Sequence, residues 1–194
     1  MQYPLQLTFK FWAFSPQISI VDTQGNLLFY VKQKLFKLKE AITVFADAER
    51  TRPLYYIKAD RVIDFSARYD FTNENGISIG AVKRQGLKSL WRARYDVFDG
   101  ENINFTIQEK NPWVKIADAL FQEIPVVGML SGFVFNPTYL VSRSDSSVVM
   151  RLEKIPSFFS RQFSIKAMDK LSEQEETQVL LSLMMMLLLE KNRG

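Results

Sequence analysis

The chain has 194 residues, 47% hydrophobic and 24% charged, with a net charge of +4, a composition that supports one globular core and rules out a disordered or fibrous chain. It contains no Cys and no His, which excludes disulfides, thiol nucleophiles, S-palmitoylation, imidazole or thiolate metal sites and the Ser-His-Asp triad. Any catalysis would have to run on carboxylates, Lys, Tyr or a hard metal held by oxygen ligands.

The N-terminus, MQYPLQLTFKFWAF, has no basic segment followed by a continuous apolar run, so it does not read as a secretory signal. A cytoplasmic location is expected, and the sequon at Asn104 and Thr106 is then incidental. Within this first segment Leu5, Leu7, Phe9 and Phe11 face one way and Gln6, Thr8 and Lys10 the other, the period-two pattern of a half-buried strand. The cluster Asp22-Thr23-Gln24-Gly25-Asn26 reads as a turn, and strands follow at Leu27–Gln33, Ile42–Ala46, Leu54–Ala59 and Val62–Phe71. Asn73-Glu74-Asn75-Gly76 is a hairpin turn in which Asn-Gly supplies the left-handed residues. Strands Ile77–Lys83 and Leu90–Phe98, the turn Asp99-Gly100-Glu101-Asn102 and the strand Ile103–Gln108 come next.

Pro112 suits a first helical turn, and Val114, Ala117, Leu120 and Phe121 form one apolar stripe, so a helix is expected there, followed by an apolar loop over Ile124–Phe135. Late strands are Thr138–Ser142, Val148–Ile155 and Gln162–Met168, giving roughly a dozen at the spacing of a sandwich or barrel. The last element is a helix opened by a capping box of Ser172 and Glu175, with Glu173, Glu175 and Glu176 at its positive end. Its eleven residues Val179–Leu189 are apolar on every side, so protein or lipid must surround them. As a helix they span roughly 16 Å, against about 30 Å for a bilayer core, so a buried helix is expected and not a membrane span. The whole chain, residues 1–194, reads as one domain.

The basic residues are patterned. Lys32 and Lys34 share one strand face, Arg92 and Arg94 another, and Lys83 and Arg84 sit in the segment before. Cations on neighbouring strands can cradle a phosphate, and equally they can be the ordinary polar outside of a sheet, where Lys also guards edges. Trp91-Arg92-Ala93-Arg94-Tyr95 interleaves aromatic and basic residues as nucleic-acid binders do, but alternation explains it, and no nucleic-acid partner is expected. Asp96 with Asp99, or Glu74 among Asn73 and Asn75, could hold a hard cation; turn chemistry explains both, so no metal and no cofactor is expected. The G-x-x-x-G of Gly128 to Gly132 is uninformative outside a membrane, and Met184 to Met186 reads as core filling.

Asn26-Leu27-Leu28-Phe29-Tyr30-Val31-Lys32-Gln33-Lys34, Gly76-Ile77-Ser78-Ile79-Gly80, Arg92-Ala93-Arg94-Tyr95 and Arg161-Gln162-Phe163-Ser164-Ile165 leading into the apolar helix together carry a resemblance. The chain resembles the Tubby C-terminal-like superfamily, specifically the LURP-one-related proteins and phospholipid scramblases. The resemblance implies a mainly β fold with one α element: a closed, roughly twelve-stranded β-barrel around the hydrophobic C-terminal helix. It also implies a non-enzymatic binding module, with Tubby domains taking phosphoinositide head groups on Lys and Arg of the barrel wall. Lys32, Lys34, Lys83, Arg84, Arg92 and Arg94 are the candidates here, for an anionic phospholipid or phosphoinositide at a membrane surface, with a protein as the other partner class. A small apolar ligand inside the barrel is an alternative, as is a scramblase. Against the scramblase stand the absence of Cys and a segment Ala167–Glu173 without closely spaced acidic ligands.

Overall fold

The computed structural model describes residues 1–10, 16–32, 41–61, 67–86, 93–110, 137–157 and 160–191. Twelve strands run β1 (Leu5–Lys10), β2 (Gln17–Val21), β3 (Leu27–Lys32), β4 (Ile42–Phe45), β5 (Pro53–Ala59), β6 (Arg68–Asn73), β7 (Ser78–Arg84), β8 (Arg94–Asp99), β9 (Asn102–Glu109), β10 (Thr138–Ser142), β11 (Val148–Ile155) and β12 (Arg161–Ala167). The helix α1 (Glu173–Lys191) follows. Each strand pairs antiparallel with its neighbours in sequence, and β1 closes the barrel on β12, with Leu5 opposite Ile165 and Phe9 opposite Arg161.

Alternation decides what faces in. Leu5, Leu7 and Phe9 of β1 are buried while Gln6 and Lys10 are exposed, and Phe105 and Ile107 of β9 are buried with Thr106 between them only partly covered. Closure leaves the sheet no free edge, and the narrowest junction is between β3 and β4, with the one pairing of Tyr30 to Phe45 among the described residues.

The turns are set by side chains that accept backbone hydrogen bonds. Asp22 Oδ1 takes the amides of Gln24 and Asn26, each at 2.9 Å, and Asn73 Oδ1 takes those of Asn75 at 3.0 Å and Ile77 at 2.9 Å. The second turn differs from the Asn-Gly hairpin expected there. Only Gly76 is left-handed, at φ 76°, and the register slips between Phe71 and Thr72, so the loop is longer than two residues and ends in a bulge. Turn chemistry thus occupies Asn73 Oδ1 and the Asn73 carbonyl, which takes the Gly76 amide at 3.0 Å.

The capping box forms: the Ser172 amide donates to Glu175 Oε2 at 2.8 Å, and the Glu175 amide donates back to Ser172 Oγ at 3.3 Å. All eleven residues from Val179 to Leu189 are buried, the most accessible, Leu187, being 7% exposed. A helix buried on every side needs a wall all round it, and the apolar inner faces of the strands supply one. Each fully buried Leu or Met contributes about 1.5–3 kcal/mol relative to exposure. Ser182, the polar member of the stretch, donates its hydroxyl to the Gln178 carbonyl one turn back at 2.8 Å. α1 comes closest to β7 at Gly80, where any Cβ would collide with the Gln178 side chain and the Phe98 carbonyl, and where φ is 137°.

Three sequence expectations need adjustment or fall elsewhere. β2 was not among the expected strands, although Ile18 and Ile20 alternate correctly. The strands expected from Val62 and Leu90 begin at Arg68 and Arg94 within the described residues. The helix expected after Pro112 and the loop Ile124–Phe135 lie outside the described residues.

Candidate functional site

The candidate cations do not gather at one point. Lys32 ends β3 on the outside, opposite Gln17 of β2, which in turn lies opposite Lys10 of β1. Lys83 of β7 and Arg94 of β8 stand on the outer wall four and five strands further round. Lys34 and Arg92 lie outside the described residues.

Around Lys83 the wall is mixed in charge. The register sets it beside Arg68 of β6 and Asp96 of β8. Lys83 also helps hold the Asp60 carboxyl below the usual range, behind the larger effect of the hydrogen bond from Arg61. Arg68 itself is committed: it donates to Asp70 at 2.9 Å and to the Gly100 carbonyl at 2.6 Å, pairs with Glu101 at 3.3 Å, and lies 4.9 Å over the Phe98 ring. Asp96 is nearly covered and accepts from Gln85 Nε2 at 2.5 Å and Thr106 Oγ1 at 3.4 Å.

Arg94 opens onto a groove of about 480 Å³ across the outer faces of β8, β9 and β10. Two guanidinium groups, Arg94 and Arg143, line it with the hydroxyls of Thr106, Ser142, Ser144 and Ser146. Arg143 is already paired with Asp169 at 2.6 Å. The groove offers hydrogen bonds to an anion, with the Asp96 carboxylate opposing it.

Arg84 belongs to another environment. It follows Lys83 in β7, so its side chain points into the barrel, 3% exposed, with Nε 3.5 Å from Glu190 Oε1 of α1. Its guanidinium sits 5.9 Å from the Tyr95 ring centre, and the Tyr95 hydroxyl donates to Glu190 Oε1 at 2.7 Å. Burial, then the Glu190 charge, pushes the Tyr95 phenol up; burial, then Glu109 and Glu190, does the same to Tyr139. Arg84 is therefore part of a polar knot that fixes the end of α1, and it cannot meet a head group together with Lys83.

Sequence reasoning missed three residues of this interior. Gln178 Nε2 donates to the carbonyls of Ile79 at 3.1 Å and Phe98 at 2.9 Å, while its Oε1 accepts from Asn104 at 3.1 Å. Glu109 is fully buried, and Glu190 ends the apolar run. The available signals were that Glu109 continues the inward phase of Phe105 and Ile107, and that Gln178 and Glu190 bracket an otherwise apolar stretch.

Among the described residues, no three carboxylates converge where they could hold a metal ion, and no helix is long and apolar enough to cross a membrane. The family model described as LURP-one-related matches residues 27–180, from β3 into α1 and most of the chain. An X-ray structure of a protein from Arabidopsis thaliana matches at 18% identity over 98% of this chain and 92% of that one, with a TM-score of 0.49. Among curated proteins none matches.

Proposed function

Because the chain belongs to the LURP-one-related family, within the Tubby-like superfamily, we propose that it is a binding module without catalytic chemistry, recognising anionic phospholipid head groups at a membrane surface. The observation that carries this reading is the occupied interior. α1 is buried on every side among the strands, so the barrel offers recognition through its outer surface, where the excess positive charge lies. The same observation weighs against an apolar ligand held inside. Calcium-triggered scrambling has little support, because Asp169, ahead of α1, is engaged with Arg143.

A protein partner is the second reading, favoured by Ile77, Ile103 and Met168, which are 61%, 48% and 55% exposed near the turns that lead towards the start of α1.

Liposome sedimentation tests the first reading. At low salt the protein should sediment with phosphatidylserine or phosphoinositide vesicles and not with phosphatidylcholine, and added salt should release it. Replacing Lys83 and Arg94 by Gln should weaken retention without moving the melting temperature much. Arg84 must be left intact, since its loss would change stability as well. Wild-type protein that ignores anionic vesicles at low salt would overturn the lipid reading in favour of a protein partner.

A further inference from the structure

The strands alternate in direction, so the even-numbered strands finish at one end of the barrel and the odd-numbered strands at the other. At the end where α1 begins are the turns 22–26, 46–52, 74–77, 100–101, 143–147 and 168–172. At the other end α1 finishes, and there lie the last residues of the odd-numbered strands and the first residues of the even-numbered ones.

The two rims carry opposite charge. Taking the connecting residues, the last two residues of each strand and the end of α1, the first rim holds eleven carboxylates and five basic side chains, a balance of −6. By the same rule, among residues whose side chains are described, the second rim holds eleven basic side chains and three carboxylates, a balance of +8. Arg84 and Glu109 among these are buried, Glu190 pairs with Arg84, and the Arg68 guanidinium reaches Gly100 and Glu101 at the first rim, which leaves nine basic side chains and one carboxylate, Asp60, facing out. A net charge of +4 over the whole chain hides this separation. The arrangement also opposes the dipole of α1, with Glu173, Glu175 and Glu176 at its positive end.

The basic rim is a ring and not a pocket. Lys10 lies on β1, Lys32 on β3, Lys58 on β5, Lys110 just past β9, Lys154 on β11 and Arg161 on β12, so cations occur round the whole circumference. One small anion could touch two or three of them at most, whereas a flat, extended array of negative charge can face them all. We propose that the barrel docks end-on, through the rim at which α1 finishes, against an anionic phospholipid bilayer, with its acidic rim turned away. This rests on the membrane reading above and adds an orientation: Lys83 and Arg94, at the rim ends of β7 and β8, are two members of the ring and not a separate site on the wall. Repulsion of the acidic rim from the same surface reinforces the alignment.

Two triple variants of equal charge change test it. One carries Lys10→Gln, Lys32→Gln and Lys58→Gln on the basic rim; the other carries Arg50→Gln, Arg52→Gln and Lys170→Gln on the acidic rim. All six residues are exposed, and thermal melts verify that both variants remain folded. At low salt, partitioning onto phosphatidylserine vesicles should fall roughly fivefold for each rim cation removed, about a hundredfold for the first variant. The second should bind as wild type or slightly less. Equal losses in both variants, or an unchanged first variant, would overturn the end-on orientation while leaving the membrane reading intact. Wild-type protein that does not bind these vesicles removes both.

Discussion

Lys83 and Arg84 are consecutive residues of the same strand, and they live under different physics. Lys83 stands on the outer wall among Arg68, Asp96 and Asp60, where solvent reaches and screens its charge. Arg84 is enclosed beside Glu190 and Tyr95 at the end of α1, where little water reaches the guanidinium and the ion pair is its main compensation. The same contrast runs round the barrel. Outside, Glu153 bridges Arg151 at 2.5 Å and Lys166 at 2.8 Å, an ion-pair chain worth at most about 1 kcal/mol per exposed link. Inside, a short list of polar groups is held by apolar surroundings that leave no slack. One consequence is that sequence neighbours on a strand give no guide to shared function unless their phase is known.

Changes on the two sides should differ in size accordingly. The largest effect is expected from removing the filling of the barrel. A chain ended at Gln178 should show no cooperative thermal or urea transition, and Leu183→Asp, which buries a carboxylate among apolar side chains, should give insoluble or molten protein. The desolvation involved rivals a typical total stability of about 5–15 kcal/mol. Native-like unfolding of either variant would mean that α1 does not hold the interior.

The middle of the range compares the two neighbours directly. Arg84→Ala should lower stability by about 2 kcal/mol in urea denaturation, because the mostly covered Glu190 loses an ion-pair partner and the Tyr95 ring loses the guanidinium packed over it. Lys83→Gln should stay within about 0.5 kcal/mol of wild type. Similar losses for the two would erase the distinction between wall and interior.

The smallest effects concern pH, and they separate the two sides by direction. Tyr95 and Tyr139 hold their protons above the ordinary phenol range of about 10 because burial disfavours the phenolate. Their contribution is fully present below about pH 10 and is lost as pH rises, since the unfolded chain ionises first. Urea midpoints measured from pH 8 to 11 should fall towards the alkaline end, less steeply in Tyr95→Phe. On the acid side, Asp22, Asp47, Asp145 and Glu153 are held below the usual carboxylate range by hydrogen bonds, from Asn26, the Thr51 amide, Ser147 and Lys166 respectively. Their contribution is present above about pH 4 and is lost as pH falls through their lowered values. Being open to solvent, they should give only a shallow decline between pH 5 and 3.

The contrast between faces also explains what the amino-acid sequence reveals and what it hides. Leu5, Leu7 and Phe9 announce β1 because apolar and polar residues alternate cleanly, and the capped apolar run after Ser172 announces α1. β2 escaped because Gln17–Val21 is only five residues long and abuts both Pro16 and the Asp22 turn. Arg84 was grouped with Lys83 because two adjacent cations look like one basic patch. Only the phase of Gly80 and Val82, both buried, assigns Arg84 to the inside. The charge of the two rims was beyond reach for a different reason: it sums residues from all twelve strands, and becomes visible only when the direction of each strand is known.

The seam between β1 and β12 has a bearing on how the chain is made. Eleven of the twelve strand pairings join neighbours in sequence and can form hairpin by hairpin as the polypeptide emerges; the remaining one couples the first strand to the last. That seam has to wait for β12, and the packing around Leu7, Phe71, Val97 and Ile107 for α1, which follows β12. Throughout translation the nascent chain therefore presents a long meander with its greasy side unfilled, and the last helix acts as the plug that ends its exposure. Production of this protein should accordingly respond to chaperone supply and to the pace of synthesis far more than its finished, tightly filled barrel would suggest.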